Sequence, residues 1–261
     1  MLKKDSYKKL SNFKVLLIYP NIQMCEMMPY SIGLLTGILR REGFTVDLFD
    51  TTFYVDQVNA QYEAYHDYVQ EFNWKEKGAV HKTDLIKDFH KKIEDFNPDL
   101  MAISVVENTY STAKQMIKSL PERMKKIPIM WGGVFATFAP HLILRDNIGD
   151  YICRGEGDDA IVELCKSLAM EEKPEKVRNF WIRKNGNVIK NTMGPLADLE
   201  NAPLPDYSLF DDHAIYRAMQ GKIRRTIGLE TQRGCTYTCA YCNSPSQVSL
   251  HKEEVGKMFA R

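Results

Sequence analysis

Nowhere in the sequence does an apolar run approach the roughly 18 residues that a membrane span needs, and no short apolar stretch behind basic residues marks a secretory leader. These absences predict a cytoplasmic protein with no membrane span. Charge of one sign is lacking as well: 35 Lys and Arg stand against 34 Asp and Glu, for a formal net charge of +1. No global field favours nucleic acid or an anionic membrane as a partner. The cluster Lys3, Lys4, Lys8, Lys9 and Lys14 reads as a solvated lead-in, not a nucleic-acid arm. No G-x-G-x-x-G follows the first apolar run and no Walker sequence occurs, so the common phosphate-gripping turns of nucleotide-binding sheets are excluded. What is present is an ordinary globular composition, 44% apolar over 261 residues.

From Phe13 short apolar runs alternate with segments of helical period, the sign of a parallel sheet with crossover helices. "FKVLLIYP", "TVDLFD", "LMAISVV", "IPIMWGG" and "DYICRGEGD" read as five strands. Between them, "YSIGLLTGILRREG" places Ile32, Leu35, Ile38 and Leu39 on one stripe, and "TDLIKDFHKKIEDFNPD" starts a helix with Thr83 as N-cap. The stretch 51–82 has no clean period and is not assigned. The expected fold is α/β, a doubly wound five-stranded parallel sheet of flavodoxin-like order 2-1-3-4-5. Residues 1–172 form this first domain. Residues 173–222 follow as a hairpin turning at Asn185-Gly186, a proline-rich linker with Pro195, Pro203 and Pro205, and a short helix around 214–220. Residues 223–261 open a new domain, with "RRTIGLETQRG" as one more strand leading into "GCTYTCAYC".

Ligands of open α/β sheets sit beyond the carboxyl ends of the strands. The loops there offer Ser104 and Thr109, Gly132, Gly133 and Thr137, and the Gly-flanked turn "RGEG" with Gly155 and Glu156. Residues without a Cβ let a large group or its tail lie against the backbone and leave amide donors to bond it. Equally, the glycines end strands tightly and do nothing more.

Six cysteines are present, at 25, 153, 165, 235, 239 and 242. Cys153 and Cys165 read as small core residues. Cys235, Cys239 and Cys242 lie on one short loop, close enough in sequence to converge on one inorganic centre. A zinc site would need a fourth ligand, His251 being nearest, and its signature is paired C-x-x-C knuckles. A [4Fe-4S] cube held by three thiolates keeps one iron open, as a catalytic metal site requires. Gly234 permits close backbone approach, and Arg224, Arg225 and Arg233 are placed to offset the negative charge of such a cluster.

The first domain resembles the cobalamin-binding domain family over roughly 13–170. The resemblance is carried by strand and helix order, by Ser104, and by "WGGVFATFAP" followed by "DYICRGEGDDAIVEL". It implies that these loops clasp the nucleotide tail of cobalamin. The D-x-H-x-x-G segment of family members that ligate cobalt from below is absent, since "PNIQMCEMMPYSIG" has no histidine. Cobalamin is therefore expected without a histidine ligand; Met24, Met27 and Met28 are able to supply a soft floor, while each taken singly reads as core or loop packing. The cysteine loop resembles the C-x-x-x-C-x-aromatic-C signature of the radical S-adenosylmethionine superfamily, with Tyr241 as the aromatic.

That second resemblance implies a partial (β/α) barrel whose open iron binds S-adenosylmethionine and cleaves it to a 5′-deoxyadenosyl radical. It also implies an electron donor such as a flavodoxin or ferredoxin. Together the two resemblances imply the N-terminal portion of a cobalamin-dependent radical enzyme, in most cases a methyltransferase. No catalytic acid or base can be assigned, and the substrate is unknown. The chain stops about twenty residues past Cys242, before the rest of such a barrel, so the 261-residue chain is expected to be inactive alone. The alternatives are a cobalamin carrier or sensor with a vestigial cysteine loop, and a radical enzyme, a cyclase among them, whose first domain no longer binds cobalamin.

Overall fold

A computed structural model describes residues 10–21, 28–54, 82–219, 222–257 and 261. Met24, Met27, Cys25, the N-terminal lysines up to Lys9 and most of the unassigned stretch 51–82 lie outside the described residues.

The first strand, β1 (Lys14–Tyr19), is buried on both faces, as its unbroken apolar run requires. Helix α1 (Tyr30–Arg41) returns the chain to β2 (Thr45–Asp50), parallel to β1. Helix α2 (Leu85–Phe96) is capped by the Asp84 carboxylate, which accepts from Lys87 N–H at 3.4 Å; the cap thus falls one residue past the expected Thr83. It leads to β3 (Leu100–Ser104), which pairs with β1, and α3 (Glu107–Lys118) leads to β4 (Ile129–Gly132). The short helices α4 (Gly133–Phe138) and α5 (Pro140–Asp146) precede β5 (Tyr151–Cys153), and α6 (Asp158–Ala169) follows it. The two sides of the sheet carry separate cores. Leu17, Ala102 and Met130 face one, while Leu16, Met101 and Trp131 face the other. Trp131 is completely buried and donates its indole N–H to Ile148 O at 2.8 Å. Lys14 takes no part in a basic arm, because its ammonium donates to Phe96 O at 3.1 Å inside the fold.

The sheet order is β2-β1-β3-β4-β5-β6-β7. The first five strands have the expected 2-1-3-4-5 order. The hairpin β6 (Phe180–Lys184) and β7 (Asn187–Lys190) was expected within the connector but instead extends the same sheet to seven strands, with β6 antiparallel to β5. The cause is apolar burial: Phe180 and Ile182 join the core with Cys153 and Tyr151 opposite them, and Trp181 packs on the other side. Asn185 and Gly186 both have positive φ, 51° and 78°, as a tight two-residue hairpin turn demands.

The proline-rich connector runs along α1. Gly33 O accepts from Asp206 N–H at 2.8 Å, Arg40 pairs with Asp206, and Arg41 donates to Asn201 O at 2.6 Å. A Cβ at Gly37 would stand 2.6 Å from Leu204 O, so this close approach needs glycine. Past it, a 3-10 turn (Asp212–Ile215) precedes β8 (Tyr216–Met219), which among the described residues pairs only with β9 (Lys222–Arg225). Over 214–219 the expected short helix is therefore a turn and a strand. The strand expected through to Gly234 ends at Arg225, and no strand follows among the described residues. Helix α7 (Ser244–Val255) comes after the cysteine loop.

Candidate functional site

At the carboxyl ends of β1, β3, β4 and β5 the sheet opens into a crevice of about 390 Å³. Its floor is apolar, from Leu17, Ala102 and Met130, and its walls are Ile32 and Leu35 of α1 and Ile161 of α6. Ser104, Gly132, Gly133, Gly155 and Glu156 line its rim. The parallel register produces this gathering, since Ser104 and Gly132 are direct partners at the ends of neighbouring strands.

Two further candidates stand one step back. The Thr109 hydroxyl accepts from Val106 N–H at 3.2 Å and closes the first turn of α3. The Thr137 hydroxyl donates to Gly133 O and accepts from Gly155 N–H, both at 3.1 Å, so it ties the β4 loop to the β5 loop. Both threonines are buried, and neither lines the crevice.

The glycine pair divides by cause. Gly133 has φ +88°, and a Cβ there would lie 2.5 Å from Val105 O and 2.9 Å from Val105 N, so chain geometry requires glycine. Gly132 is extended, with φ −139°, and a Cβ there would meet nothing nearer than 3.8 Å. Packing does not require glycine at 132, yet the residue lines the crevice. An apolar crevice with three glycines on its rim fits the buried tail of a large cofactor.

The segment leading to the cysteines crosses this crevice. Gly228 O accepts from the Tyr207 hydroxyl at 2.6 Å, while Glu230 and Arg233 line the crevice along with Tyr30. Arg233 is not a free charge facing the cysteines. Its guanidinium donates to Glu156 at 3.1 Å, to both oxygens of Asp158 at 3.0 Å, and to Glu230 at 3.0 Å. Glu156 also accepts from Arg261 at 3.0 Å and from Ala197 N–H at 2.6 Å. Burial pushes the Asp158 carboxyl above its ordinary value, and the Arg233 charge opposes that shift. The three carboxylates in turn hold the guanidinium protonated. Arg224 and Arg225 are exposed on β9. Sequence reading had placed the turn "RGEG" at the ligand but missed that its side chains grip the cysteine-bearing segment. Arg154 shows the same pattern, pairing with Glu254 of α7 at 2.8 Å.

Cys235 and Cys239 are half-buried and Cys242 is exposed, whereas Cys153 and Cys165 are fully buried. Burial pushes the Cys153 thiol up to about 12 and raises that of Cys165 further, which disfavours the thiolate at both. Cys242 Sγ accepts from Ser244 N–H at 3.4 Å, and hydrogen bonds of this kind from Ser244 hold its thiol below the ordinary value. Gly234 has φ +85°, and Cys242 N–H donates to Cys239 O at 3.1 Å. No group of three His, Cys, Asp or Glu side chains among the described residues is gathered to hold a metal. The three thiols are not converged on one point, but as a soft thiolate donor set on one short loop their chemistry suits an iron–sulfur cluster. His251, the zinc alternative's fourth ligand, is buried beside Gly155 in contact with the first domain. Tyr241 is 93% exposed, and Met28 is buried in the core without lining the crevice.

Residues 26–165 match the B12 binding domain, and the chain belongs to that family. It is 26% identical over 164 residues to an uncharacterised methyltransferase of Pyrococcus horikoshii, covering 61% of this chain and 34% of that protein. It is 27% identical over 143 residues to the anaerobic magnesium-protoporphyrin IX monomethyl ester cyclase of Synechocystis, covering 54% of this chain and 28% of the cyclase. The chain thus spans about a third or less of these relatives. Among solved structures, the cobalamin-dependent S-adenosylmethionine radical enzyme OxsB with aqua-cobalamin and S-adenosylmethionine bound superposes with a TM-score of 0.64. The match has 22% identity over 90% of this chain and 29% of that one, and it shows a shared fold. No helix among the described residues is long and apolar enough to cross a membrane.

Proposed function

We propose that this chain is the N-terminal portion of a cobalamin-dependent radical S-adenosylmethionine enzyme, a methyltransferase by preference. In this reading residues 1–172, extended by the β6–β7 hairpin, hold cobalamin, the remainder of 173–222 connects, and 223–261 begin the radical domain. One observation carries it: the segment that delivers the three cysteines lines the crevice through Glu230 and Arg233, two residues before Cys235. The two candidate centres are therefore neighbours.

The main chain of Ser104, Gly132, Gly133, Gly155 and Glu156 would hold the cobalamin tail, with Thr109 and Thr137 fixing the loops behind it. The apolar floor keeps water from that tail. No histidine lies between Pro20 and Gly33, so the cofactor would sit without one below cobalt. Cys235, Cys239 and Cys242 would ligate a [4Fe-4S] cluster, and the exposed Tyr241 is available to the nucleoside of S-adenosylmethionine. When bound, the cluster would supply the electron that cleaves S-adenosylmethionine and cobalamin would carry the methyl group. The electron itself would come from a donor such as a flavodoxin or ferredoxin.

Anaerobic reconstitution with iron and sulfide, read by Mössbauer spectroscopy, and equilibrium dialysis with cobalamin test this directly. Both cofactors should bind stoichiometrically. A triple Cys235→Ala, Cys239→Ala, Cys242→Ala variant should lose the cluster and keep cobalamin. No cluster in the wild type would reduce the protein to a cobalamin carrier, and no cobalamin would leave a radical domain on an empty fold.

A further inference from the structure

The turn from Gly155 to Asp158 has two faces. Its main chain borders the crevice, and its carboxylates hold the segment that carries the cysteines. Glu156 is 8% exposed at its side chain, Asp158 11% and Arg233 11%, so these ion pairs are largely removed from solvent screening. Glu156 joins four pieces of chain: its own turn, Ala197 of the connector, Arg233 before the cysteines, and Arg261. Arg233 and Arg261 are in turn bound to each other through both backbone N–H and C=O groups, at 2.8 and 2.9 Å. Each of the three guanidinium nitrogens of Arg233 already faces a carboxylate. Its role is positional.

We propose that Glu156 and Arg233 are positioning residues that couple occupancy of the crevice to the placement of the cysteine loop. A cofactor tail resting on the 155–158 main chain restrains the turn whose carboxylates clasp Arg233, and a restrained Arg233 fixes the chain two residues before Cys235. Linkage makes the effect reciprocal: a loop fixed by its cluster must favour the tail by the same factor. The proposal rests on the reading of the two sites as cobalamin and cluster sites.

The test is a ratio. Cobalamin dissociation constants are measured by equilibrium dialysis on the full chain with and without the reconstituted cluster. The wild type should bind cobalamin about tenfold more tightly with the cluster, within the usual range of site-to-site coupling. In Arg233→Gln and in Glu156→Gln the ratio should fall to about one, and the double variant should lower it no further. A purely structural role would weaken binding equally in both states and leave the ratio at its wild-type value. That outcome overturns the proposal, as does a wild-type ratio of one with both cofactors bound. If Arg233→Gln does not fold, Glu156→Gln, isosteric and still able to accept from Ala197 N–H, decides alone. A wild type that takes up no cobalamin or no cluster overturns the functional reading itself, and this proposal with it.

Discussion

Alanine at Gly133 and alanine at Gly132 should damage different properties of the protein, although the residues are adjacent. At Gly133 the φ of +88° is a region that costs an L-residue about 1–2 kcal/mol. The added Cβ would also press within 2.5 Å of Val105 O. Val105 cannot retreat: it is 1% exposed, its N–H donates to Gly132 O at 3.1 Å, and its carbonyl accepts from Phe135 N–H at 3.3 Å. Overpacking of this kind costs about 1–3 kcal/mol. Gly133→Ala should therefore lose about 2–5 kcal/mol in urea unfolding followed by far-UV circular dichroism, taking both costs together. At Gly132 the backbone suits any residue and the nearest atom is 3.8 Å from the new methyl. Gly132→Ala should stay within about 1 kcal/mol of wild-type stability but weaken cobalamin binding about tenfold or more by crowding the crevice. A Gly133→Ala protein as stable as wild type would refute the backbone argument. A stable Gly132→Ala protein with wild-type cobalamin affinity would remove the crevice as the tail site.

Iodoacetamide on the native protein should modify Cys235, Cys239 and Cys242 and spare the buried Cys153 and Cys165, as peptide mass mapping would show; iron and sulfide should protect the first three. Asp50 has a carboxylate oxygen buried without a partner, and burial pushes its carboxyl up to about 6 against the opposing hydrogen bonds from Thr52. The folded state therefore holds that proton more tightly than the unfolded chain, a contribution complete below about pH 4 and lost as pH rises through about 6. The stability of Asp50→Asn relative to wild type should improve by up to about 3 kcal/mol between pH 4 and pH 7, and a pH-independent difference in urea unfolding would contradict it. Tyr207→Phe removes the hydroxyl that donates to Gly228 O at 2.6 Å and should cost about 1 kcal/mol in the same assay.

How far the sequence could be read depended on whether a signal was local. The five buried strands and their order followed from apolar runs and crossover length, and Asn185-Gly186 marked its turn. The attachment of β6 to β5 was not visible, because Phe180 and Ile182 announce a buried strand without saying which edge buries them. "AIYRAMQ" contains good helix formers, yet Tyr216–Met219 pairs with Lys222–Arg225, and tertiary pairing overrides so weak a propensity. In the crevice, glycines and a serine at strand ends were legible because strand ends are where open sheets bind. Thr109 and Thr137 carried the same signal, but their hydroxyls serve the loops.

The network on Arg233 was beyond reach for a physical reason. Its partner Asp158 is 75 positions away and Glu156 is 77, and a single sequence gives an arginine beside a cysteine loop no sign of which carboxylate it will meet. Charge balance invited the simpler reading, with Arg224, Arg225 and Arg233 offsetting a cluster. Geometry divides them: the two on β9 remain in solvent, and the one nearest the cysteines is neutralised by carboxylates from a loop of the first domain. Three acidic side chains around one guanidinium, in a largely buried site, cost desolvation that an apolar contact would avoid. Such an arrangement is directional, since it holds the segment at one register and one height above the crevice, which an apolar patch would let slide. That argues for a junction selected for where it places Cys235 and not for how tightly it binds.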